Sequence, residues 1–147
     1  MADSYPVRLK KAFAADVHER GLGLYKPTGG YTKAETAVLA GVLTRGPDLP
    51  TTFDRCLVLT TLTPFEDDGP ANRVTPLQLT DRLPGTRDDA ENRFEAFRDA
   101  YHNRRQVMLG DLPFRRIQLV SSLFITADTQ NRVGYFMTFH LFGRQVL

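Results

Sequence analysis

The sequence predicts an α+β fold: a single domain over residues 1–147, with an antiparallel sheet of about four or five strands and helices packed on one face. Three features point there. Two C-terminal runs, RIQLVSSLFITA and VGYFMTFHLF, alternate apolar and polar side chains with period two, and DTQNR joins them. A segment beginning at Thr86 carries acids first and arginines later, with one apolar stripe, which is the pattern of an amphipathic helix. The length of 147 residues, with 41% apolar and 24% charged side chains, suits one domain with a real core rather than a disordered chain.

Residues 5–18 read as a short amphipathic helix. Ser4 stands at its cap, Pro6 in its first turn, and Leu9, Phe13 and Val17 on one face. A strand through VRLKKAFA is the rival reading. GLGLYKPTGG, with four glycines and a proline in ten residues, is a loop. Residues 1–30 thus form a basic N-terminal helix and a Gly-rich loop. TKAE then supplies a capping box between Thr32 and Glu35. The run that follows, AETAVLAGVL, is apolar on nearly every side, so it reads as a buried helix stopped by Gly46 and Pro47.

FDRCLVLTTLT, residues 53–63, is a central strand, and FEDDGPAN is a turn with an acidic tip. RVTPLQLT is expected to form only a short edge strand, because Pro76 cannot donate to a ladder. RLPGT is another turn. In the helix from Thr86, the stripe is Ala90, Phe94, Phe97, Tyr101 and Met108, with Arg104 and Arg105 near its end and Gly110 and Pro113 marking its exit. In the hairpin, Val133, Tyr135, Met137, Phe139 and Leu141 share one side of one strand. Ile117, Leu119, Leu123 and Ile125 share one side of the other.

The chemistry-bearing residues are scattered. A net charge of +2 is too mild to specify nucleic acid. The single cysteine, Cys56, lies in an apolar run and reads as a core residue. His18, His102 and His140 make no metal-ligand spacing, and Ser121 and Ser122 stand mid-strand rather than in a nucleophile elbow. No metal or cofactor is expected, and no catalytic constellation is visible. The glycines before Thr32 match neither phosphate-loop pattern. Backbone N–H groups of residues 30–33, beside Lys26 and Lys33, can still hold an anion. Two basic groups remain: Arg8, Lys10 and Lys11, and further on Arg104, Arg105, Arg115 and Arg116. No apolar run is long enough to cross a bilayer as a helix, and no signal peptide is evident.

GGYTKAETAVLAGVLTRGPDLPTTFDRCLVLTTL resembles the central segment of rhabdovirus matrix proteins: a Tyr-Thr helix start, an apolar helix, a short loop and a buried strand. LPFRRIQLVSSLFITADTQNRVGYFMTFHLF resembles the antiparallel strands that follow in that family. The family's lysine-rich arm and proline-tyrosine budding motif are missing.

The sequence-based expectation is a non-catalytic, self-associating structural protein. Its leading version, which the resemblance implies, is a small matrix-like viral protein that links an anionic membrane surface to a nucleocapsid protein. It would act in the host cytoplasm, at the inner face of a membrane or in the virion. Arg8, Lys10, Lys11, Lys26 and Lys33 are the candidate membrane or anion contacts. Tyr25, Pro27 and Tyr31 are the candidate self-association residues of a homo-oligomer. One alternative is a phage or virion assembly module, such as a ring-forming head-tail connector or tail-completion protein. The other is a small enzyme or ligand-binding domain with Tyr101, His102 or His140 in a pocket between sheet and helix; the leading version expects no small-molecule substrate.

Overall fold

The computed structural model describes residues 3–28, 30–44, 54–66 and 73–143. The expected stops at Gly46 and Pro47, the Asp67–Asp68 tip and the last four residues lie outside them.

Helix α1 spans Tyr5–Glu19, with Pro6 in its first turn, and buries Leu9, Phe13, Ala14 and Val17. The rival strand is therefore excluded. Helix α2, Lys33–Thr36, has the expected capping box: Glu35 N donates to Thr32 Oγ1, and Thr32 N donates to Glu35 Oε1. The long buried helix does not follow. Instead the chain turns and forms strand β1, Gly41–Leu43, parallel to strand β2, Cys56–Thr61. Gly41 is the reason the backbone can come so close, since a Cβ there would lie 3.2 Å from the Tyr31 ring.

Strand β3 is the short Phe65–Glu66, and strand β4 runs over Arg73–Pro84. Helix α3, Arg87–Tyr101, starts at a Thr86–Asp89 capping box. Strand β5 covers Arg104–Leu109, strand β6 Leu112–Ile125 and strand β7 Arg132–Gly143. The strand order is β1-β2-β4-β7-β6-β5, with β3 also on β4, and every pair but β1–β2 is antiparallel. The α+β class is as expected, but the sheet has six strands in line and is curled. The helix from Thr86 is shorter than its stripe suggested. Met108 lies on β5, exposed, and Arg104 and Arg105 open that strand.

Strand β4 overturns the edge-strand expectation, because it pairs with β7 over all twelve of its residues and with β2 on its other side from Leu77 to Arg82. Pro76 fits for a local reason. Its carbonyl accepts Leu62 N at 2.9 Å, and the N and C=O of one strand residue point the same way. The missing N–H therefore faces the break between β2, which stops at Thr61, and β3, which starts at Phe65. The ladder to β7 loses nothing.

Both long helices cover the same sheet face. Phe139 of β7 lies 6.4 Å from Phe13 of α1 and 6.0 Å from Tyr101 of α3, and Phe94 stacks on Tyr135 at 4.8 Å. Beneath them lie Leu57, Leu59, Leu77, Leu79 and Met137. The β6–β7 hairpin is as expected up to Leu119. A bulge between Leu119 and Ser121 then shifts the register, so Leu123 pairs with Phe136 on the far face and is 65% exposed. The expected inward row of Leu123 and Ile125 is thereby lost, and Phe124 packs beside Tyr135 instead.

One polar strut crosses this core. Asp81, only 1% exposed, receives Arg93 Nη2 at 2.9 Å and Nε at 3.1 Å, and Arg93 Nη1 donates to Leu22 O at 2.7 Å. One guanidinium thus ties α3 to β4 and to the loop after α1. Replacing Arg93 by Met leaves the Asp81 carboxylate buried without its partner. The expected loss is about 3 kcal/mol in unfolding free energy by urea titration. Arg98→Met, at an exposed pair on the same helix, is expected to cost under about 0.5 kcal/mol.

Candidate interaction surfaces

The Gly-rich loop folds back on β1 around Tyr31. The Tyr31 hydroxyl donates to Val42 O at 2.5 Å and accepts Lys26 N at 3.1 Å. Lys26 Nζ reaches Glu35 Oε2 at 2.6 Å, and Glu35 also caps α2. Its carboxyl is held at about 2, first by the Lys26 ammonium and then by the Thr32 N–H. Lys26 is therefore partnered within the chain by the carboxylate that closes α2's N-terminus.

Five of the residues singled out in the sequence line one open cleft of about 350 Å³: Lys11, Tyr25, Lys26, Pro27 and Tyr31. Arg8, Lys10 and Lys33 are not part of its lining. Arg8 pairs with Asp111 at 3.2 Å and Lys11 with Asp3 at 2.6 Å, whereas Lys10 and Lys33 make no ion pair among the described residues. The cleft walls are polar and apolar side chains of helix α1, the Gly-rich loop and an edge strand.

The polar residues considered for a ligand pocket do not converge. The Tyr101 hydroxyl donates to Asp16 Oδ2 at 2.8 Å, and burial pushes its pKa far up. His102 Nδ1 accepts Leu119 N at 2.9 Å. His140 faces the side of the sheet away from the helices, against Phe65 at 5.3 Å, and burial lowers its pKa. His18 Nδ1 accepts Tyr25 N at 3.1 Å. Burial raises the Cys56 thiol to about 11, so it stays protonated at neutral pH and is a poor nucleophile. Among the described residues, no three side chains from His, Cys, Asp and Glu gather as metal ligands do.

The second basic group forms a surface that the sequence only partly announced. Arg105 lies directly opposite Arg116, and the next pair in register is Val107 with Phe114, so Gln106 and Arg115 are passed over. Gln106 adopts φ +54°, rare for a side chain of its type. Both strands thus place two consecutive residues outside the core, while Val107, Leu109, Leu112 and Phe114 stay buried. Arg105, Gln106, Arg115 and Arg116 line a shallow cleft of about 340 Å³. Arg116 stacks over Phe142 at 4.3 Å, which places it on the helix-free face. Adjacent repeats of arginine were visible in the sequence. The paired irregularity that gathers them, with the same register on both sides of it, was not, since it depends on φ at Gln106.

No family model matches the chain, and no curated protein matches it in sequence. Among solved structures, it superimposes on a chain of a virion of a native gene transfer agent (GTA) particle, with a TM-score of 0.61 and 14% identity. The match covers 97% of this chain and 100% of that one. At this identity the likeness is one of fold. It overturns the rhabdovirus matrix resemblance, and α2 shows why. The apolar helix on which that resemblance rested ends at Thr36 and gives way to a strand.

The Glu35 contacts carry a pH signature. A carboxyl held at about 2 in the fold, against about 4.5 ordinarily, stabilises the protein above pH 4.5 and loses that effect as pH falls toward 2. Glu35→Gln is therefore expected to melt below the parent at pH 6. The gap should narrow as pH drops through that window in a series of thermal melts.

Proposed function

We propose that this chain is a non-catalytic assembly module of a phage-like virion, of the head-tail connector or tail-completion kind, working as a closed ring of identical copies. The observation that carries this reading is the two-way coverage of the fold match, 97% of this chain against 100% of a GTA virion chain. A likeness confined to a common hairpin or helix pair would leave much of one chain unmatched.

The side-chain chemistry is in keeping. The buried Cys56 thiol is protonated, and two of the three histidines use Nδ1 to hold backbone N–H groups. The shielded polar contacts Asp81–Arg93 and Tyr101–Asp16 tie elements together inside one chain. An assembly module needs rigidity and exposed faces rather than a deep pocket, and the two clefts described here are shallow and open. Partners on this reading are further copies of the chain and neighbouring virion proteins.

Mass photometry over a concentration series, with negative-stain imaging of the largest species, tests this. Rings of a single size are expected, without retention on anionic vesicles. Protein that stays monomeric at every concentration, or that elongates into open filaments, would sink the ring reading.

A further inference from the structure

Two surfaces of opposite charge stand on opposite sides of the sheet. On α3, Asp88, Glu91, Glu95 and Asp99 follow one another at intervals of three, four and four residues, so they fall on one exposed stripe roughly 16 Å long. That stripe lies opposite the helix's apolar side, Ala90, Phe97 and Tyr101, which is buried toward the sheet. On the other side of the sheet stands the arginine surface of the β5–β6 hairpin, where Arg116 covers Phe142 and faces Arg105 across the ladder. The α3 acids and these arginines are separated by the sheet and its core, so one copy cannot bring them together.

Only weak internal pairing holds the acids. Arg87–Glu91 and Arg98–Glu95 are exposed pairs at 3.2 Å and 3.7 Å, and Asp88 and Asp99 have no ion pair among the described residues. The charged residues of the basic surface are all arginines, with exposed Met108 beside them in β5. Arginine and methionine are enriched where proteins meet, and lysine is depleted. Two arginines directly opposite in a ladder repel each other, and a carboxylate from outside relieves that repulsion.

We infer that the arginine surface of the β5–β6 hairpin docks on the acidic stripe of α3 in the next copy of this chain. The contact is heterologous, because the two surfaces differ and face opposite ways. Such a contact closes into a ring when the rotation between copies allows it. This deepens the ring reading proposed above and rests on it: it says which two faces meet and what sets their order.

Charge reversal tests it. Arg105→Glu with Arg116→Glu makes one face acidic, and Glu95→Arg with Asp99→Arg makes the other basic. Each double variant alone is expected to raise the concentration for half-assembly by about tenfold or more. The quadruple variant, with both faces reversed, is expected to assemble again. Parent rings should also loosen as salt rises. Circular dichroism and melting check that each variant is folded, which is the expected result because Glu95, Asp99 and Arg105 are exposed and Arg116 is half-buried at the surface over Phe142. A parent that forms rings while Arg105→Glu plus Arg116→Glu assembles equally well would overturn this inference and leave the ring reading standing. So would a folded quadruple variant that fails to recover. A monomeric parent would sink the ring reading itself. If that monomer shifted a duplex DNA probe in a manner abolished by the arginine reversals, the surface would belong to nucleic acid.

Discussion

Phe139 lies under both long helices, with the rings of Phe13 and Tyr101 within 6.4 Å and 6.0 Å of its own. The burial of this one face constrains everything else. Each strand must offer an apolar side chain to α1 and α3 at every second position, whatever its neighbours do. The rows Leu57–Leu59, Leu77–Leu79 and Met137–Phe139–Leu141 meet that demand directly. Where a strand falls out of phase, the backbone absorbs the error. The paired irregularity at Gln106 and Arg115 does this in the β5–β6 hairpin without shifting register, whereas the bulge near Val120 in β6 turns Leu123 outward. Neither irregularity disturbs the core, and both send side chains to the outside.

That constraint also explains what was legible. Period two and period 3.6 are direct images of one-sided burial, so β7, the start of β6, α1 and α3 could be read from the chain. The capping box at Thr32 was equally plain, because it depends on two local side chains. The helix expected after it was misread, since Ala37–Leu43 is apolar all round and an apolar run of that length suits a buried strand as well as a helix. Pro76 misled for the opposite reason. Its rule concerns a missing donor, and the direction of that donor, toward a gap between β2 and β3, is set by tertiary pairing. Leu123 and Met108 were assigned by counting residues, and counting fails at a bulge or a turn. For the candidate surfaces, the sequence named basic residues but offered no means to say which lay together. Lys11, Lys26, Tyr25, Pro27 and Tyr31 gather because Tyr31 bonds to β1, a strand that was not foreseen.

The polar interactions divide into two kinds. Asp81–Arg93 and Tyr101–Asp16 lie between elements, well shielded, and specify how α1, α3 and β4 fit together. Arg8–Asp111, Lys11–Asp3, Arg87–Glu91 and Arg98–Glu95 lie in solvent and contribute little to stability. Weak pairs of the second kind are exchangeable. A carboxylate held loosely within the chain is one that a stronger partner can take, which leaves the surface charges of α3 free to act between molecules.

The bulge near Val120 has an effect on growth as well as on packing. Strand β5 accompanies β6 only from Leu112 to Ile117, and among the described residues no strand flanks β6 beyond that point on that side. His102 blocks the first stretch of this open border by accepting Leu119 N. The bulge then breaks the regular spacing of the backbone groups that follow, and Ser121 and Ser122 place polar side chains along it. An extended peptide laid there would lose step after a few residues. The same kink that turns Leu123 outward also makes this border a poor template for a strand from another molecule.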